Sequence, residues 1–129
     1  MIKTPSEKLK RSITRYRKKC QSIIEISDNV RYAGVVNAYG KTLAGIINPK
    51  IKPLMKSEIM KNELFIISTL MTLRKEPTGV LGKLDYVLLQ HQKVSVLIFQ
   101  KSNVTYYITI NRKEENMANE IITSIRKII

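Results

Sequence analysis

A chain of 129 residues, 43% of them hydrophobic, has the size of one domain and can bury roughly two thirds of its unfolded surface. No apolar run approaches the ~20 residues of a membrane span, and no hydrophobic segment follows the basic N-terminus as a secretory signal requires, so the expected location is cytoplasmic. A single cysteine, Cys20, excludes an internal disulfide, and with a single histidine, His91, it makes no metal site by itself.

The formal charge of +13 is unevenly spread: residues 1–22 hold eight of the 23 basic residues and one of the ten acids, Glu7. Such a basic arm either meets an anionic partner or serves solubility. It begins with a helix-start signature, in which Thr4 caps, Pro5 takes the first helical position and Glu7 completes a capping box. Leu9, Ile13, Tyr16, Cys20 and Ile23 follow at helical spacing and line one narrow face. Lys8, Lys10, Arg11, Arg15, Arg17, Lys18 and Lys19 cover the rest, which predicts a basic amphipathic helix over 4–26.

"SDN" at 27–29 ends that segment. A hairpin follows within "VRYAGVVNAYGKTLAGII", with Gly40 supplying a positive φ after Asn37-Ala38-Tyr39. Pro49 and Pro53 interrupt regular pairing. A second helix is predicted from a Ser57 cap to about Arg74, stopped before Pro77 and Gly79. Its apolar residues Ile59, Met60, Leu64, Ile66, Ile67, Leu70, Met71 and Leu73 span an arc of about 180°, wider than one sheet contact needs. It is therefore expected to touch its own sheet and also either the first helix or a second chain.

Three strands are predicted next, at about Leu81–His91, Val94–Gln100 and Val104–Ile110. "YVLL" and "VLIF" are apolar on both faces, as in strands covered on both sides or pairing at an interface. The last helix is "EENMANEIITSIRKII". Asn111 is its expected cap, Glu114 and Glu115 suit its first turn, and Arg126 and Lys127 its last. Met117, Ile121, Ile122, Ile125, Ile128 and Ile129 form its apolar stripe.

Signals of catalysis are poor. Gly34, Gly40, Gly45, Gly79 and Gly82 form neither a phosphate-binding loop nor a dinucleotide fingerprint. His91 stands between Gln90 and Gln92 without base or orienting partners. Asp28 and Asp85 are isolated acids, and Cys20, despite neighbouring cations, reads as a small buried hydrophobe. No enzyme activity and no cofactor are expected. Tyr106 and Tyr107 point to opposite faces of one strand, one predicted to be core and the other exposed or at an interface. Asn37, Tyr39, Thr105 and Tyr107 are the candidates for a small-molecule pocket.

The fold class expected is α+β, a five-stranded antiparallel sheet with flanking helices in the order α-β-β-α-β-β-β-α, as one domain over 1–129. This order resembles that of roadblock (dynein light chain), longin and profilin-like domains. "YAGVVNAYGKTLAGI" is similar to the first roadblock hairpin, in which a polar turn with Gly leads to a strand beginning Leu-Ala, here Gly40 and Leu43-Ala44. The Lys-, Ile- and Asn-rich composition also resembles that of small proteins from ammonia-oxidising (thaumarchaeal) archaea, which implies no mechanism.

The roadblock resemblance implies a homodimeric scaffold paired through the second helix and third strand, and a small Ras-like GTPase or other acidic protein as partner. Met60, Leu64, Ile67, Met71, Tyr86 and Leu88 are the candidate interface residues. No residue matches a GTPase-contacting motif. Two alternatives stand beside the scaffold. One is binding of nucleic acid or an anionic membrane surface through the basic helix; the other is a small-molecule sensor.

Overall fold

The structure, a computed structural model, describes residues 4–112 and 117–129. Helix α1 (Pro5–Ile24) leads into strands β1 (Val30–Val36) and β2 (Thr42–Ile47), then helix α2 (Ser57–Leu73) and a single helical turn, α3 (Thr78–Leu81). Strands β3 (Val87–Gln90), β4 (Val94–Lys101) and β5 (Val104–Asn111) precede the last helix, α4 (Met117–Ile128). The strands form one sheet in the order β2-β1-β5-β4-β3, and every neighbouring pair is antiparallel. This is the predicted class and element order.

The predicted start of α1 is present in full. Thr4 accepts from the Glu7 amide at 3.2 Å, and the Glu7 carboxylate accepts from the Thr4 amide at 3.3 Å. Two orphan amides of the first turn are thus satisfied. The seam then meets the sheet progressively. Leu9 is exposed, Tyr16 is half-buried with its ring edge-on to Tyr106, and Cys20 and Ile23 are fully buried.

β5 is central and shows how the layers divide. Val104, Tyr106, Ile108 and Ile110 face α1 and α4, in a core with Val35, Leu97 and Ile125. Thr105, Tyr107 and Thr109 alternate onto the other face, where α2 supplies Leu64, Ile67 and Met71 over Val36, Val96 and Ile98. Tyr106 and Tyr107 are therefore both core, one in each layer, rather than one buried and one exposed. The sheet lies between α1 and α2, so α1 does not cover the wide apolar arc of α2.

The β1–β2 turn is closed by its own side chain. Asn37 Oδ1 accepts from the amides of Tyr39 (2.9 Å) and Lys41 (3.0 Å), and Gly40 takes φ +82°. Gly34 and Gly45 face each other across β1 and β2, and the Tyr32 ring lies over both. A Cβ at either glycine would meet the Tyr32 hydroxyl at 2.4 or 2.6 Å, so the glycine pair is the seat of that ring.

Three expected boundaries change. β3 begins at Val87, not near Leu81: Leu81 ends α3, and Gly82, at φ +89°, redirects the chain before the strand. Lys56, not Ser57, is the N-cap of α2, and no side chain caps that end. Asn111 is the last residue of β5 and accepts from Arg31 at 2.7 Å, so its side chain ties β1 to β5 instead of capping α4. Glu114, Glu115 and the side chain of Met117 lie outside the described residues. No helix among the described residues is long and apolar enough to cross a membrane.

Candidate interaction surfaces

The residues singled out as possible catalytic groups lie apart from one another. No cluster of three metal-ligating side chains occurs among the described residues. His91 lies exposed in the β3–β4 turn, where its backbone bonds Val94 and Arg112. Asp28 pairs with Lys50 and Asp85 with Arg126, at separate places.

Burial raises the Cys20 thiol to about 11, outweighing the lowering by Arg17. The folded chain is expected to leave Cys20 unmodified by a disulfide reagent at pH 8 and to react fully once unfolded in urea. Rapid reaction of the native chain would contradict this packing. Burial also raises Tyr32 and Tyr106 to about 12, from 10.0. Tyr107 is raised as well, by burial and then by the Glu63 carboxylate that accepts its hydroxyl proton at 3.1 Å. In each case the folded chain holds a proton that the unfolded chain gives up first. For Tyr32 and Tyr106 this stabilisation is complete below pH 10 and is lost as the pH rises through about 12, and for Tyr107 it persists to higher pH.

The six expected interface residues do not share a patch. Leu64, Ile67 and Met71 are covered by the chain's own sheet, and Met60 is half-buried against the same layer. Tyr86 packs on Phe99, with the Arg126 guanidinium over its ring, on the α1/α4 side. Leu88 lies opposite Leu97 and shares that side, 41% exposed.

What α2 offers outward is a different set. Ile59, Ile66 and Leu73, spaced seven residues apart, make a stripe along one flank, and Phe65 stands on the other. All four are more than half exposed. Val80 and Leu81 of α3, which follows α2 in the chain, are the most exposed of the large apolar residues apart from Tyr39. Among the described residues β3 pairs only with β4, which leaves its outer edge without a strand partner there. Phe65 falls about 80° outside the apolar arc read in the sequence, at 100° per residue, which is why it stands on the other flank.

The basic residues of α1 face solvent. Lys8, Lys10, Arg11, Arg15, Arg17 and Lys18 are exposed and Lys19 half-exposed, and none forms an ion pair among the described residues. Residues 4–11 are exposed throughout, so the first turns of α1 project past the sheet.

A cavity of about 600 Å³ opens beside the N-terminal half of α2. Its floor is the sheet, through Tyr32, Val96, Tyr107 and Thr109. Met60 and Glu63 form the α2 wall, and the segment from Ile51 to Met55 forms the facing wall. That segment is held by two devices. Arg31 donates to the Lys52 carbonyl at 2.7 Å, and buried Asn48 donates to the Val30 carbonyl at 2.9 Å while its Oδ1 accepts from the Lys50 amide at 3.0 Å. Of the four residues expected to make a pocket, only Tyr107 lines it; Asn37 and Tyr39 belong to the β1–β2 turn.

Among the described residues the sheet carries α1 and α4 on one face and α2 on the other, and α2 leaves apolar side chains exposed on its outer side. No protein-family model and no curated protein matches the sequence. Solved structures do match. The roadblock/LC7 domain from Streptomyces avermitilis superposes with TM-score 0.66 at 9% identity, over 87% of this chain and 89% of that one. Myxococcus xanthus MglB gives 0.65 at 10% identity over 99% and 90%, and the gliding protein MglB of Thermus thermophilus gives 0.64 at 10% over 90% and 89%. The fold is the roadblock fold.

Proposed function

We propose that this chain is a non-enzymatic adaptor that pairs with a second copy through the outer face of α2 and the free edge of β3. The observation that carries this reading is the exposed stripe of Ile59, Ile66 and Leu73 on a helix whose other face is already buried. Large apolar side chains repeated along one helix flank are a surface that a second chain can cover. An isologous pairing would bring two α2 stripes together and let two β3 edges meet as antiparallel neighbours. The pairing retains the expected elements and moves its anchors to residues with surface to offer. Among the structural neighbours, one MglB structure is described as a tetrameric arrangement.

The assembled adaptor would act on another protein, and a small Ras-like GTPase is the partner class that the roadblock resemblance implies. The basic face of α1 is a separate, auxiliary contact for an acidic surface, because it lies on the opposite side of the sheet from α2. Binding of nucleic acid or anionic membrane as the main function would place the weight on this face instead.

Two variants test the reading. Ile66→Asp is expected to reduce the solution mass to that of one chain. Gln at Arg15, Arg17, Lys18 and Lys19 together is expected to leave the mass unchanged. Loss of pairing in the Gln variant with retention in Ile66→Asp would overturn the proposed interface.

A further inference from the structure

We propose that the cavity beside α2 binds an organic anion with an apolar tail, of the kind represented by a medium-chain carboxylate. This goes beyond the adaptor reading and does not depend on it.

The cavity has a direction. Tyr107 and Asn111 are four residues apart on β5, about 13 Å at ordinary strand rise. At the Tyr107 end the hydroxyl donates to the Glu63 carboxylate. Glu63 makes no ion pair among the described residues, so this end is negative and disfavours an anionic head. Midway, Thr109 lines the cavity at 7% exposure, and its hydroxyl has no hydrogen-bond partner among the described residues. Around these points the walls are apolar: Met55, Met60, Ile51, Val96 and Leu54.

At the Asn111 end the charge is positive and uncompensated. Arg31 is held there by Asn111 and by the Lys52 carbonyl, both neutral acceptors, so its charge is positioned but not cancelled. Lys93 lies at the same end, its carbonyl bonded to the amide of Arg112, and it makes no ion pair among the described residues. A carboxylate at this mouth meets two cations, while its tail follows β5 toward Tyr107. A cationic head meets the same two charges and is repelled.

The intact chain would be titrated with decanoate, decanol and decyltrimethylammonium, each below its micelle concentration, and followed by calorimetry. Decanoate is expected to bind saturably, one per chain, at least about tenfold more tightly than decyltrimethylammonium. Lys93→Glu is expected to weaken decanoate by about tenfold without changing the melting temperature of the ligand-free chain, because Lys93 is exposed in a turn. Lys18→Glu, on α1 across the sheet, controls for the overall positive charge and is expected to leave the affinity unchanged. Met60→Trp, which fills the cavity from its α2 wall, is expected to abolish binding.

No saturable binding of decanoate would overturn the proposal, as would equal affinities for the three head groups or equal weakening by Lys93→Glu and Lys18→Glu. Decanoate uptake that only tracks dissociation of paired chains would also overturn it, by placing a second copy in the cavity instead.

Discussion

Ile67→Ala is expected to lower the unfolding free energy by about 3 kcal/mol. Ile67 is 1% exposed and sits between α2 and the sheet with Leu64, Met71 and Tyr107. Truncation removes apolar burial and leaves a void that a close-packed layer only partly closes. The neighbouring residue, Ile66, points outward and gives the opposite pattern. Ile66→Asp is expected to change the stability of the isolated chain by no more than about 0.5 kcal/mol. Its effect should grow with protein concentration, because it removes an association term and not a packing term. Urea unfolding at two concentrations separates the two residues. Equal, concentration-independent losses would show that both faces of α2 are core.

Gly40→Ala is expected to cost about 2–3 kcal/mol, from two sources acting together. At φ +82° any L side chain is strained. The added Cβ would also meet the Phe65 backbone at 2.9 Å, and backbone in a helix cannot yield as a side-chain tip can. The β1–β2 turn is thus pressed onto the middle of α2, and the substitution should disturb helix and hairpin together. Thermal unfolding reads the cost. A loss below about 0.5 kcal/mol, the range of ordinary surface changes, would mean that the turn relaxes freely and is not seated on α2.

Much of this architecture is legible in local signals. The capping box at Thr4 and Glu7, the helical seam down to Ile23 and the glycine turn at 40 are each set by neighbours a few residues away, and each appears as expected. What is not legible depends on distant partners. The apolar arc of α2 contains both Ile66 and Ile67, and periodicity alone does not say which one the sheet covers. Three of the interface residues expected from the sequence, Leu64, Ile67 and Met71, therefore belong to the buried side. The sequence reads β3 too long because a one-turn helix ending at Leu81 has no hydrophobic period to announce it.

The cavity is the least local feature. Its outer wall exists because Arg31 bridges Asn111, eighty residues on, and Lys52. One signal was available: Thr105, Tyr107 and Thr109 alternate with Val104, Tyr106, Ile108 and Ile110, marking the α2 side of β5 as the more polar floor.

The solution mass of the intact chain, measured by light scattering at moderate salt over a range of dilution, tests the central claim most directly. A mass of two chains that persists on dilution is the result expected if α2 and β3 pair. A mass of one chain at every concentration would contradict the pairing and leave the exposed stripe of Ile59, Ile66 and Leu73 to a different protein.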